Sequence, residues 1–245
     1  MKKIIYAVVV MGYCCMAMAC NRQILLLKTA QKMEGNWVNK TYLDSLKITK
    51  SPQRAYQAVK IHTLTIRKDT LMNNPTQVIL SFREGDYWML GRDSVSLFFS
   101  HVFDTELQLQ TRLLSRKKMQ LGKDIFVRYF VPSSSTTKEV QLVQEILFVG
   151  VYYWDGKRVE FSANGKIRGM EELGIKNYNP VINHYNTNQK LDQLWLNQRE
   201  NYQKYGFQFN DNTLYIYQLK CPTNDLYCSE QAELGPLLYE LKRKK

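Results

Sequence analysis

The chain of 245 residues reads as a mainly β protein, an antiparallel meander closing into a barrel or a strongly curved sheet, with one amphipathic helix toward the C-terminal side. Three observations predict this. Short runs of alternating apolar and polar residues follow one another from Val59 onward. Asp155-Gly156 and Asn164-Gly165 sit between such runs where tight hairpin turns belong. The period then changes once, to helical spacing, over Gln189 to Tyr205. A β-sandwich is the competing architecture; the order of neighbouring strands and the single late helix favour closure.

The elements follow in order. Tyr42 to Ala58 is polar and is interrupted at Ser51-Pro52, where proline opposes a continuous helix. Strand candidates are Val59 to Leu71, Thr76 to Phe82, Asp86 to Leu90, Ser94 to Phe99, Glu106 to Leu114, Asp124 to Val131, Val140 to Trp154 and Arg158 to Ala163. Leu107, Leu109 and Leu113 alternate with Gln108, Gln110 and Arg112, while Ile125, Val127, Tyr129 and Val131 share a face, as in half-buried strands. Glu84-Gly85-Asp86 and Leu90-Gly91-Arg92-Asp93 punctuate the early runs, and Pro132 to Thr137 reads as a polar loop. Leu191, Leu194, Trp195, Gln198 and Tyr202 form the helical stripe, with Gly206 placed to end it. Strand texture returns at Thr213 to Leu219 and at Leu237, Tyr239 and Leu241. No internal repeat is visible, and residues 35–245 are expected to form a single β domain.

The N-terminus is of another kind. Lys2 and Lys3 precede Ile4 to Ala19, 16 uncharged residues. That is short of the ~20 needed to cross a bilayer and has the parts of a secretory signal. Residues 1–19 are therefore expected to be removed, with 20–34 as a tether. The net charge of +12 falls only to +10 when Lys2 and Lys3 leave. For an exported chain such a balance points to anionic lipid, acidic glycans or other envelope proteins, not to nucleic acid.

Chemistry is thin. None of the three histidines, His62, His101 and His184, sits in a zinc-binding pair or a His-Glu helical motif. There is no Gly-x-Ser-x-Gly elbow and no glycine-rich phosphate loop. Glu171-Glu172 are adjacent and so diverge, and Asp155 and Glu160 have no evident partner for acid-base work. No catalytic residue, metal or cofactor is expected.

Ala17-Met18-Ala19-Cys20, a small residue directly before a cysteine after a lysine-led apolar run, resembles the lipobox of bacterial lipoproteins. The resemblance implies that Cys20 becomes the acylated N-terminus and holds the protein on a membrane. Cys14 and Cys15 then leave with the signal. The remaining pair, Cys221 and Cys228, flanks a short loop and in an oxidising periplasm reads as a disulfide, with a reduced pair or a metal site as alternatives. The periplasm-facing leaflet of the outer membrane is the expected location.

Gly35-Asn36-Trp37, ahead of the strand series, is similar to the Gly-x-Trp signature that opens lipocalin barrels. That resemblance implies an eight-stranded barrel with Trp37 plugging its closed end and room for one small ligand. The expected function is binding of a small apolar ligand inside the barrel, with inward aromatics from Phe82, Trp88, Phe99, Tyr129, Tyr153 and Trp154 as its lining. The alternative is a non-catalytic interaction lipoprotein that meets another envelope protein or an acidic polymer through its surface. A cavity favours the first and a filled core the second.

Overall fold

The computed structural model describes residues 28–29, 31–68, 78–81, 87–92, 96–104, 106–129, 138–182, 191–198, 201–221 and 232–244. It is mainly β and antiparallel, as expected. The chain forms two compact units, Met1–Lys40 with Thr63–Phe130, and Thr41–His62 with Val131–Lys245.

The first unit is a closed barrel. Its strands are β1 (Gly35–Asn39), β2 (Thr63–Lys68), β3 (Val78–Ser81), β4 (Tyr87–Arg92), β5 (Leu97–His101), β6 (Gln108–Ser115), β7 (Lys118–Leu121) and β8 (Asp124–Tyr129). Each pairs antiparallel with the next, and β1 also pairs with β8. Trp37, Leu64, Ile66, Leu90, Phe99, Met119 and Phe126 are buried inside it. On β8 the buried residue is Phe126, while Ile125, Val127 and Tyr129 are half-buried on the opposite face. Apolar residues on both faces of this short strand hid the choice, since one step of register exchanges the faces.

The second unit begins with two helices, α1 (Lys40–Thr49, in this unit from Thr41) and α2 (Pro52–Gln57). Ser51 caps α2, its Oγ accepting from Arg54 N at 3.1 Å, and Pro52 takes the first turn, where its missing N–H has no partner to lose. Next come α3 (Lys138–Val143) and a π-helical turn, Gln144–Phe148. The strand expected over Val140 to Trp154 is thus helical in its first half. Val140, Leu142, Val143, Leu147 and Phe148 are all buried there, so an apolar run that could serve either structure became helix.

Eight strands follow: β9 (Gly150–Trp154), β10 (Lys157–Phe161), β11 (Ile167–Arg168), β12 (Ile175–Pro180), β13 (Gln193–Gln198), β14 (Asn201–Asn210), β15 (Thr213–Lys220) and β16 (Glu233–Arg243). They again form a meander whose first and last strands pair, β9 with β16. The edges β11 and β12 meet through the bridge Lys166↔Asn177, and Tyr178 N donates to Gly165 O at 2.7 Å. Asp155 (φ 47°) and Gly156 (φ 76°) make the expected two-residue turn between β9 and β10.

The helix expected over Gln189 to Tyr205 is absent. Its stripe spans the hairpin β13–β14, in which Gln198 pairs with Asn201. Leu194, Leu196, Tyr205 and Phe207 point inward at period two, and that burial overrode the helical spacing. Gly206 lies within β14, where a Cβ would come 2.5 Å from the Leu234 side chain, so close packing and not helix termination explains the glycine.

The two units share a local device that the sequence reading missed. Met33-Glu34-Gly35-Asn36-Trp37 opens β1, and Phe148-Val149-Gly150-Val151-Tyr152 opens β9. Both glycines have positive φ, 133° and 153°. Arg128 on β8 lies 4.7 Å from the Trp37 ring centroid, and Arg243 on β16 lies 5.4 Å from that of Tyr152. Arg128 donates to Lys32 O and Arg243 to Val149 O. A guanidinium on the last strand thus covers an aromatic ring on the first and ties down the chain entering it.

Candidate functional site

The expected barrel-lining aromatics do not share one interior. Trp88 and Phe99 are buried in the first barrel. Tyr129 is on that barrel's outer face. Tyr153 and Trp154 belong to the second unit. Tyr153 is 39% exposed, and Trp154 meets Tyr239 edge-on at 5.5 Å with Lys157 Nζ 6.0 Å from its centroid. Trp37 is buried in the first unit, its Nε1 donating to Met33 O at 2.8 Å. Cys20, Phe82 and Cys228 lie outside the described residues, while Cys221 directly follows β15.

The second unit is filled from its centre. Phe148 packs against Tyr178 (5.3 Å), Phe207 (5.0 Å) and Phe209 (5.4 Å), and Phe161 joins at 6.2 Å. Burial pushes the Tyr178 hydroxyl well above the usual phenol range and that of Tyr152 to about 12, with Arg243 opposing both shifts. Both rings therefore stay neutral. Tyr152 donates to Leu147 O at 3.3 Å and Tyr178 to Ser162 O at 2.9 Å.

The histidines are structural in their surroundings. His62 stacks on Tyr56 at 3.9 Å and meets Tyr42 edge-on at 5.4 Å. His101 meets Trp88 at 5.2 Å. His184 lies outside the described residues. Among the described residues no three of His, Cys, Asp and Glu gather as metal ligands, and no helix is long and apolar enough to cross a membrane.

Open space borders the strands of both units. In the first unit a cavity of about 510 Å3 is lined in part by Gln110, Arg112 and Gln120. Buried Thr111 lines it too, between exposed Gln110 and Arg112, so the cavity meets both faces of β6.

The larger space, about 950 Å3, is a groove of the second unit between the α1–α2 corner and the strands β14 and β15. Gln208, Asn210, Tyr215 and Tyr217 line it from one face of the hairpin, and Phe207 and Phe209 line it from the alternate positions of β14. The Tyr215 and Tyr217 rings lie side by side, centroids 6.5 Å apart and planes 30° apart. Lys50, Gln53, Arg54 and Gln57 form the facing wall.

Asp192 builds that wall. Its Oδ1 accepts from Gln53 N at 2.9 Å, so it holds the first turn of α2 against the start of β13. Burial raises its carboxyl to about 6, opposed by the Ser51 hydroxyl, the Gln53 N–H and Arg54. Lys50 Nζ donates to Asp211 O in the β14–β15 turn, tying the corner to the sheet a second time.

The sequence held a signal for half of this groove. Ser51 followed by Pro52 is a helix-start pattern as well as a helix break, and Tyr215 and Tyr217 are two apart on a strand. That the two walls face each other is a product of the tertiary fold. Compared with protein-family models, curated proteins and solved structures, the chain matches none.

Proposed function

We propose that the protein is an exported, non-catalytic binding lipoprotein, anchored through acylated Cys20, which receives its partner on an outer wall of the β structure and not inside a barrel. The observation that carries this is the contrast between interior and exterior. The first barrel holds Trp37, Ile66, Leu90, Phe99, Met119 and Phe126, and the second unit holds the cluster around Phe148. An eight-stranded barrel has room for side chains or for one small ligand, and these side chains take up part of that room. A groove of about 950 Å3 lies outside, within the size range of ordinary binding sites.

Cys221 and Cys228 form a disulfide that ties the end of β15 to the segment entering β16. The partner is an envelope protein or an acidic polymer, in keeping with a net charge of +12. The location is the periplasm-facing leaflet of the outer membrane.

Native mass spectrometry of the protein purified from its own host tests the central point. The expected result is one mass before and after denaturation. An adduct lost on denaturation, unaffected by substitutions in the groove, would restore the small apolar ligand to the barrel interior. Metabolic labelling with palmitate tests the anchor: label is expected in the parent and absent from Cys20→Ser.

A further inference from the structure

Resting on that reading, we propose that the groove between the α1–α2 corner and β14–β15 is a saccharide site, and that its ligand is a sugar chain bearing carboxylates. Three features of the groove point to this chemistry. Tyr215 and Tyr217 offer two ring faces in a row, half-buried and directed into the groove. The apolar C–H faces of successive pyranose rings pack on such a surface, while the phenol hydroxyls stay at its rim.

The second feature is the amide set. Gln53, Gln57, Gln208 and Asn210 line the groove, and an amide presents a donor and an acceptor together, matching vicinal hydroxyls. The Nε2 of Gln53 is buried in the wall with no hydrogen-bond partner among the described residues. A buried donor left unmatched is unfavourable, and a ligand oxygen would supply the acceptor.

The third is charge. Lys50 and Arg54 are the cations of the groove and Asp192 its acid. The Asp192 carboxylate is turned onto the first turn of α2, where Gln53 N and Ser51 bind it. Arg54 is exposed, and its fork suits a sugar carboxylate. Leu191, Phe207 and Phe209 add apolar surface beside these amides and charges, a mixture that suits the C–H faces of a sugar as well as its hydroxyls.

The test is calorimetric titration of the full-length purified protein with hexagalacturonate, and with maltohexaose as the neutral chain. Binding of the hexauronate is expected, at least tenfold tighter than the neutral hexamer and weakened as salt rises. Tyr215→Ala and Arg54→Gln should each weaken it tenfold or more with an unchanged circular dichroism spectrum and Tm, and Tyr215→Phe should retain it. Equal affinity for the two hexamers, or no effect of Tyr215→Ala and Arg54→Gln, would overturn the assignment. So would the absence of any binding; in that case crosslinks from Gln57 or Gln208 to an envelope protein would leave the outer-wall reading standing, and no adduct in native mass spectrometry would keep the interior excluded.

Discussion

The two units close in the same way but with different strength. In the first, β1 and β8 share four register pairs, from Asn36↔Tyr129 to Asn39↔Phe126. In the second, β9 and β16 share two, Lys242↔Tyr153 and Arg243↔Tyr152. A long ladder holds the first closure by backbone hydrogen bonds. The second leans on side chains, above all on Arg243 over Tyr152 and on the aromatic cluster around Phe148. The same arginine-over-ring device therefore carries unequal loads, and its importance follows from the ladder it supplements.

Four substitutions test that contrast. The largest effect is expected from Phe148→Ala, about 3–5 kcal/mol, because it empties the centre of an aromatic cluster. Met33→Ala, at the equivalent place before Gly35, should cost about 2–4 kcal/mol, since it removes a fully buried but smaller side chain. Urea unfolding followed by hydrogen exchange in each unit separates the two. Equal losses would show that the closures carry equal loads.

The next effect depends on pH and belongs to the second unit alone. Asp192 titrates near 6 when folded and near 3.8 as an ordinary side chain. Between those values the folded state holds more protons, so stability is greatest below about pH 4, falls as pH rises through 4 to 6, and levels off above. The whole change is at most about 3 kcal/mol. Asp192→Asn should flatten it while keeping the hydrogen bond to Gln53 N, as thermal melts from pH 3.5 to 7.5 would show. A slope that survives in Asp192→Asn would assign the titration elsewhere.

Arg243→Met and Arg128→Met should cost about 2 and about 1 kcal/mol. The arginine on the shorter ladder is expected to matter more, with amide exchange at β9 rising more than at β1. The reverse order would mean that ladder length does not set the load. The smallest effect is expected where the units are alike: Gly122 (φ 56°) and Gly156 (φ 76°) both sit in hairpin turns with open space around a new Cβ. Alanine at either should cost about 1 kcal/mol, from left-handed backbone alone.

Much of the β architecture was legible because it is written locally. Asp155-Gly156 must turn, and period-two runs must present two faces. The helices were harder. Leu142, Val143, Leu147 and Phe148 form an apolar run that suits either state, and Leu191 to Tyr202 carries a helical stripe by accident of two inward strands. The division into two units was invisible because what they share locally is one glycine, one aromatic ring and one distant arginine. Arg128 and Arg243 lie 91 positions from their rings, a separation at which no spacing rule operates. Of the groove, the strand wall was readable as Tyr215 and Tyr217; the helical wall was not, since it reaches β13 through Asp192 from 139 positions away.

The first unit's chain leaves it after Lys40, contributes α1 and α2 to the second, and returns at Thr63. Buried Tyr42, Leu46 and Ala55 belong to a core whose sheet begins only at Gly150. On a ribosome those helices emerge long before anything exists for them to pack on, while the barrel they interrupt can finish without them. Assembly of the second unit must then wait for the C-terminal strands, and a chain cut off after the first barrel would carry two orphaned helices with their apolar faces bare. The insertion thus links completion of synthesis to burial of an early segment, and it makes truncated products the natural targets of chaperones and proteases.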